Sequence, residues 1–135
     1  MRVAVDHVGL SVADLEAAEG FYSAAFGFNR QLAFELDPHP IRGLMLAHPS
    51  GSRLELFEHS GSMPGLQAPG PIEAHATRGY NHFALAAPNI DAVFATALAA
   101  GATAVIEPRP SPEPGVRFAF LADPEGNLVE LVEQD

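Results

Sequence analysis

The chain has 135 residues and a mass of 14.3 kDa, the size of one domain, and its 47% hydrophobic content is enough for a packed core. Seventeen acidic and seven basic residues give a formal charge of −10, and because this charge repels phosphate backbones we expect no nucleic-acid partner. The absence of cysteine excludes disulfides, thiol nucleophiles and thiolate metal ligands, so His, Asp or Glu would have to bind any metal.

The first part of the chain predicts a strand, a helix and three further strands. Apolar residues alternate with small or polar ones at about 3–11, which is typical of a strand with one buried face. Asp14 is a suitable N-cap for the helix, and Gly27 suits the position after its C-terminus. The apolar stripe of this helix is formed by Leu15, Ala18, Phe21, Tyr22 and Ala25. Alternating patterns then predict strands at about 29–37, 43–48 and 52–59.

The second part repeats this order. A strand is predicted at about 80–87, and Asn89 and Gly101 are suitable ends for the next helix. Its apolar stripe is formed by Ile90, Val93, Phe94, Ala97 and Leu98, and strands follow at about 103–107, 116–122 and 127–133. Two irregular segments remain. Residues 59–79 are either a linker or a loop that covers a substrate, and the proline-rich 107–115 is predicted as a stiff exposed loop.

The two parts align with each other without gaps. HVGLSVADLEA (7–17) matches HFALAAPNIDA (82–92) at an offset of 75 (82 − 7), and HPSGSRLELFE (48–58) matches DPEGNLVELVE (123–133) at the same offset (123 − 48). Because two separate blocks share one register, we interpret the chain as a duplicated βαβββ module. The resulting organisation is a single α+β domain, 1–135, with module one at 1–58, a linker at 59–79 and module two at 80–135.

Four polar residues occupy equivalent positions in the two modules. His7 and Glu55 in module one correspond to His82 and Glu130 in module two. The period-two alternation of a strand places each of them opposite the apolar residues that would pack on a helix. Two imidazoles and two carboxylates suit a divalent ion such as Ni, Co, Zn, Mn or Fe(II), so we expect the four residues to bind one metal.

Several of these features resemble the vicinal oxygen chelate superfamily, which includes glyoxalase I, extradiol dioxygenases and bleomycin-resistance proteins. They are the duplicated module, the opening DHVGLSVADLEAAEGFY, the FGF after the first helix and LADPEGNLVELVE near the end. The resemblance implies a curled eight-stranded mixed sheet around a metal cavity. It also implies that the metal ligands are His7, Glu55, His82 and Glu130. A homodimer is implied as well.

The ligand set is that of bacterial-type glyoxalase I, so the resemblance implies a metal-dependent lyase or isomerase. The expected reaction is proton transfer on a small carbonyl substrate through a metal-chelated enediolate, with Glu55 or Glu130 as the catalytic group that moves the proton. Glyoxalase I has an arginine four residues after its first ligand, and this chain has Ser11, so the substrate is expected not to be a glutathione adduct.

Two alternatives stay open at this point: an Fe(II) or Mn(II) dioxygenase of the same fold, and a non-catalytic protein that binds a small molecule, as resistance proteins do. The residues predicted to contact the substrate are Ser11, Phe57, Tyr80, Arg42 and Arg117. His59, His75 and Arg78 are further candidates. Because the chain shows no signal-peptide pattern and no run of about 18 apolar residues, we expect a cytoplasmic protein without a membrane partner.

Overall fold

The fold, described for residues 1–135 by a computed structural model, has the predicted order βαβββ twice. Module one consists of β1 (Val8–Ser11), α1 (Leu15–Phe26), β2 (Asn29–Glu35), β3 (Ile41–Ala47) and β4 (Arg53–His59). Between the modules lies a short helix, α2 (Pro71–Ala74). Module two consists of β5 (Phe83–Ala86), α3 (Ile90–Ala99), β6 (Thr103–Pro110), β7 (Val116–Ala122) and β8 (Leu128–Gln134). The predicted α+β class is confirmed.

Each module forms a four-stranded mixed sheet, and the chain divides into two compact units, Met1–Met63 and Pro64–Asp135. The strand order is β1-β4-β3-β2 in module one and β5-β8-β7-β6 in module two. In both, the first strand runs parallel to the last, and the other neighbours are antiparallel. The first strand of each module therefore lies beside the last strand, which is the arrangement that brings their polar residues together.

The helix of each module packs on one face of its sheet. Asp14 accepts a hydrogen bond from the backbone N–H of Ala17 and caps α1, and Asn89 does the same for α3 through Ala92. Gly27 has a φ of 79°, the left-handed conformation that ends α1 at little cost for glycine. The whole predicted stripe of α1 is buried, whereas in α3 the side chain of Leu98 remains 36% exposed. The buried face of the first sheet includes Leu44, Leu46, Leu54 and Leu56.

The first strand of each module is shorter than predicted. In module one the pairing with β4 begins at Val8, and in module two the pairing with β8 begins at Phe83. Residues 3–7 have the alternating pattern of a strand, but Val3 and Val5 are both 86% exposed and the segment pairs with no strand. A sequence pattern describes the propensity of one strand, and the end of a strand depends on where its neighbour ends.

The proline-rich segment also differs from its prediction, because β6 continues through Pro110. Proline has no backbone N–H to donate, but β6 is the outer strand of its sheet, and the pairing with β7 tolerates shifts in register there. Only the remainder of the segment is a loop. None of the three helices is long and apolar enough to cross a membrane.

The segment between the modules packs partly on module two. Pro71 and Ala74 of α2 are buried, and the side-chain amide of Gln67 donates a 2.7 Å hydrogen bond to the backbone carbonyl of Glu125. That carbonyl belongs to the turn before β8, where Gly126 has a φ of 90°. A Cβ at Gly126 would lie 2.7 Å from Oε1 of Gln67, so glycine is needed there for its backbone and for this close approach.

Candidate metal centre

Module one places the side chains of His7 and Glu55 next to each other. Glu55 lies in β4 between the buried Leu54 and Leu56, so strand alternation directs its carboxylate away from α1. His7 immediately precedes β1, whose Gly9 pairs with Glu55. Nε2 of His7 lies 3.4 Å from Oε1 of Glu55, and the two side chains are 36% and 19% exposed. Both side chains are therefore accessible to a small ligand.

Module two repeats this arrangement with His82 and Glu130. Glu130 lies in β8 beside the buried Val129 and Leu131, and it pairs with Ala84 of β5. Nε2 of His82 lies 3.7 Å from Oε1 of Glu130, with side-chain exposures of 25% and 23%. The alternation of the strands and the parallel pairing of first and last strand thus produce the same histidine–glutamate pair twice.

The other ring nitrogen of His7 is bound to Asp6. Nδ1 of His7 lies 2.7 Å from Oδ2 of Asp6, and Nη1 of Arg53 donates to the same oxygen at 2.9 Å. The hydrogen bond from His7 and the charge of Arg53 hold the pKa of Asp6 below its ordinary value, so its carboxylate is ionised at neutral pH. An ionised carboxylate can only accept, and Nδ1 must therefore carry the hydrogen. In the neutral ring, Nε2 then presents a lone pair to Glu55.

His82 has the corresponding contact with Asn81. Nδ1 of His82 lies 2.6 Å from the carbonyl oxygen Oδ1 of Asn81, which is also an acceptor only. Nδ1 again carries the hydrogen, and in the neutral ring Nε2 then presents its lone pair toward the glutamate, here Glu130. Asp6 and Asn81 were not predicted from the sequence as part of the site, although they too are separated by the offset of 75 (81 − 6).

The donor chemistry of these pairs fits a divalent ion. A lone pair on Nε2 and a carboxylate oxygen repel each other unless a proton or a cation lies between them. Two ligand atoms that are each about 2.1 Å from one ion lie roughly 3.0 to 3.4 Å apart at tetrahedral or octahedral angles. The separation of 3.4 Å in module one matches this range, and the 3.7 Å in module two is slightly longer. Nitrogen and oxygen donors without thiolate suit Ni, Co, Zn, Mn or Fe(II).

Aromatic rings lie on the same sheet face as each glutamate. In module one, strand pairing puts Gly43 beside Phe57, and the ring of Phe34 covers Gly43 so closely that a Cβ there would overlap it. The rings of Phe34 and Phe57 meet edge to face at 5.8 Å. In module two, Phe120 pairs with Glu130, and its ring lies 4.8 Å from that of His82. Each pair thus borders an apolar surface as well as a polar one.

Space is available beside His7. Gly9, two residues further along, has nothing within 4 Å of the position where a Cβ would be. Ser11 is exposed and pairs with Phe57 across β1 and β4. Tyr80, two residues before His82, is 66% exposed. Ser11, Phe57 and Tyr80 are thus close in sequence or pairing to the histidine–glutamate pairs, and their contact with a substrate stays a prediction.

The two predicted substrate-binding arginines make ion pairs within their own modules. Arg42 binds Glu16 at 2.7 Å and Glu58 at 2.8 Å, while the other oxygen of Glu58 accepts from the backbone N–H of Leu15. Arg117 binds Asp91 at 2.9 Å and lies 3.6 Å from Glu133, which accepts from the N–H of Ile90. Each arginine therefore joins β3 or β7 to the beginning of a helix. Substrate binding by either would require exchange of these partners.

These ion pairs predict a pH-dependent contribution to stability. The hydrogen bonds from Arg42 hold the pKa values of Glu16 and Glu58 below their ordinary value of 4.5, so the stabilisation is complete above that pH and is lost as the pH falls through the lowered values. We expect Arg42→Gln to lower Tm by a few degrees at pH 7 and by less at pH 3. Thermal denaturation at both pH values measures this, with the exposed Arg2→Gln as control. An equal loss at pH 3 would contradict the assignment.

Asp14, Glu16 and Glu58 also form a group of carboxylates that lie within 4.8 Å of one another. Two of them are already paired with Arg42, and Asp14 caps α1. The guanidinium therefore supplies the positive charge that this group needs, and the histidine–glutamate pairs are the better candidate for metal ligands.

Comparison with known proteins agrees with this fold. The family model described as the Glyoxalase/Bleomycin resistance protein/Dioxygenase superfamily matches residues 4–131. The chain belongs to this superfamily, which includes enzymes such as glyoxalase I and dioxygenases. The resemblance to vicinal oxygen chelate proteins is thereby confirmed. No curated protein matches the chain.

Several solved structures share the fold. A glyoxylase/bleomycin resistance protein/dioxygenase domain from Frankia sp. EAN1pec is 18% identical, with a TM-score of 0.81 and full coverage of both chains. A glyoxalase family protein from Enterococcus faecalis is 22% identical with a TM-score of 0.78, and the match covers 96% of this chain and 97% of that one. Glyoxalase I from Zea mays is 21% identical with a TM-score of 0.77, and the match covers 96% of this chain but 44% of the maize chain. At these identities the likeness shows the fold alone.

Proposed function

We propose that the protein is a divalent-metal-dependent lyase or isomerase of the glyoxalase type, in which His7, Glu55, His82 and Glu130 bind one metal ion per chain. The observation that carries the proposal is the repeated geometry, with Nε2 of a histidine facing a glutamate oxygen at 3.4 Å in one module and 3.7 Å in the other. Packing does not require these polar pairs, because the buried apolar face of each sheet already packs on its helix. The intact pairs also favour an enzyme over a non-catalytic binding protein.

The chemistry that a divalent ion supplies at such a site is polarisation of two adjacent substrate oxygens, which acidifies the neighbouring C–H bond. Glu55 and Glu130 each present an accessible carboxylate oxygen that can take a proton from one substrate carbon and return it to the next. The histidines are held in place through Nδ1, so the glutamates remain the groups free to move a proton. The duplicated carboxylates provide one group for each face of a substrate.

The residues near the pairs favour a small, largely apolar carbonyl compound. Ser11 carries no charge to bind a carboxylate of a glutathione adduct, and Phe34, Phe57 and Phe120 border the glutamates with apolar rings. Arg42 and Arg117, which were predicted to contact the substrate, are engaged in ion pairs with residues of α1 and α3. We therefore propose a substrate with two adjacent oxygens and an apolar remainder, and a reaction that does not depend on glutathione.

Activity assays on metal-reconstituted protein test this proposal. The protein would be loaded separately with Ni²⁺, Co²⁺, Zn²⁺, Mn²⁺ and Fe²⁺. It would then be offered α-hydroxyketones and the hemithioacetals that methylglyoxal forms with glutathione and with uncharged thiols. We expect solvent deuterium to enter the substrate with at least one ion, and the glutathione adduct to be the poorer substrate. Oxygen consumption with a catechol under Fe²⁺ would instead identify a dioxygenase. Binding without exchange or turnover would identify a non-catalytic binding protein.

We also propose that the protein is a cytoplasmic homodimer. The exposed Val3 and Val5 in the unpaired segment before β1 support a contact with a second copy, because an exposed segment with the alternating pattern of a strand is suited to pair with another strand. Light scattering in solution is expected to give about twice the chain mass of 14.3 kDa. A mass of one chain would contradict the dimer and leave the metal site to be tested separately.

A further inference from the structure

We infer that Asp6 and Asn81 are positioning residues that fix the orientation and the tautomer of His7 and His82, so that Nε2 is the ligand atom of each ring. The inference rests on the proposed metal site and adds two residues to it. Both contacts are short, 2.7 Å from Nδ1 of His7 to Asp6 and 2.6 Å from Nδ1 of His82 to Asn81. Each partner is the residue immediately before its histidine.

The chemistry of the imidazole ring explains how these partners select the ligand atom. A neutral imidazole has one N–H and one lone pair and can exchange them between its two nitrogens. The acceptor oxygens of Asp6 and Asn81 retain the hydrogen on Nδ1, which leaves the lone pair on Nε2. Nε2 is the nitrogen that faces Glu55 or Glu130. The same residue pair therefore selects the tautomer and directs the lone pair toward the glutamate.

The two modules achieve this selection with different groups. Oδ2 of Asp6 is also held by Nη1 of Arg53 at 2.9 Å, and Arg53 in turn lies 3.2 Å from Oε1 of Gln31. The position equivalent to Arg53 in module two is Leu128, which carries no charge. There the neutral amide of Asn81 accepts from His82, and its Nδ2 faces Nδ1 of His75 at 3.5 Å. What the modules share is the acceptor oxygen, and the negative charge is found in only one of them.

This difference allows the effect of the hydrogen bond to Nδ1 to be measured separately from the effect of the negative charge of Asp6. In Asp6→Asn the acceptor oxygen stays and the charge is lost, which reproduces in module one the group that module two already uses. In Asp6→Ala both are lost. Asn81→Asp and Asn81→Ala form the matched comparison for His82. Asp6 has a side chain that is 69% exposed, so its replacement should leave the fold intact, and a thermal melt checks this.

Two readouts test the inference. In metal-free protein with ¹⁵N-labelled histidine, two-bond ¹H–¹⁵N spectra report which ring nitrogen carries the hydrogen. We expect Nδ1–H for His7 and His82 in the wild type, Asp6→Asn and Asn81→Asp, and a tautomer mixture at the affected ring in the alanine variants. Titration with Co²⁺ at fixed ionic strength is expected to give affinities about 10 to 100-fold weaker for the alanine variants and within about threefold of wild type for the other two. Glu35→Ala, which removes another exposed carboxylate of module one, should bind Co²⁺ as the wild type does.

The outcomes separate this inference from the proposed function. If the wild type binds Co²⁺ and the alanine variants bind it equally well, the metal site stands and the positioning role is overturned. Equal weakening in Asp6→Asn and Asp6→Ala would also overturn it, because charge and not the acceptor would then matter. If the wild type binds no Co²⁺, the proposed function fails, and the ¹⁵N spectra alone then test the positioning role of Asp6 and Asn81. Nδ1–H that gives way to a tautomer mixture in the alanine variants supports positioning, and Nε2–H in the wild type overturns it.

Discussion

Replacement of His7 or His82 by alanine is expected to weaken divalent-metal binding by roughly 100-fold or more, because each variant removes one of two neutral nitrogen donors. The remaining glutamate of that pair would then lie without its nitrogen partner at 3.4 Å or 3.7 Å. Competition titration of the wild type and each variant with the same ion measures the effect. His39→Ala, which removes an exposed histidine outside the pairs, should bind metal with unchanged affinity. Wild-type affinity in both His7→Ala and His82→Ala would show that the ligands lie elsewhere.

One of the two glutamates, Glu55 or Glu130, is expected to move the proton. Its replacement by glutamine is expected to reduce turnover by about 10² to 10⁴-fold. Glutamine keeps the size and an acceptor oxygen but cannot take up a proton from carbon, so the effect on turnover should exceed the effect on metal affinity. Entry of solvent deuterium into the substrate measures proton transfer directly, and comparison of the two variants identifies the base.

Glu35→Gln is the matched control for these variants, since Glu35 is an exposed glutamate in the outer strand β2. It should retain wild-type turnover and metal affinity. Turnover within about threefold of wild type in both Glu55→Gln and Glu130→Gln would contradict proton transfer by these carboxylates.

The duplicated fold and the two histidine–glutamate pairs were predictable from the sequence because both follow from periodicity. An offset of 75 relates His7 to His82 and Glu55 to Glu130, and strand alternation determines which face each glutamate occupies. Both the offset and the alternation depend only on the spacing of residues in the sequence. That each histidine then approaches the glutamate of its own module follows from the parallel pairing of first and last strand.

The contacts of Asp6 and Asn81 were not predicted, because they depend on the orientation of an imidazole ring and not on the position of a residue in a strand. The offset relates these two residues as well, so the signal was present, but an aspartate and an asparagine share only an acceptor oxygen. The extent of β6 was missed for a different reason. Proline counts against a strand in a sequence pattern, and only the position of β6 at the edge of its sheet makes Pro110 acceptable.

The arginines illustrate the limit of assigning a role from residue type alone. Arg42 and Arg117 were predicted to contact the substrate. Their partners on the helices, Glu16 and Asp91, are distant in sequence and become neighbours only when the helix packs on the sheet. The offset of 75 relates these partners too, and an ion pair repeated in both modules is the signal that could have indicated a structural role.

The central proposal is that His7, Glu55, His82 and Glu130 bind one metal ion per chain. The number of ions bound per chain tests this most directly, measured by elemental analysis after reconstitution with Co²⁺ and removal of excess metal. The account predicts one ion per chain, lost in a variant that combines His7→Ala with His82→Ala. Two ions per chain would show that each pair binds its own metal, and none would contradict the metal site altogether.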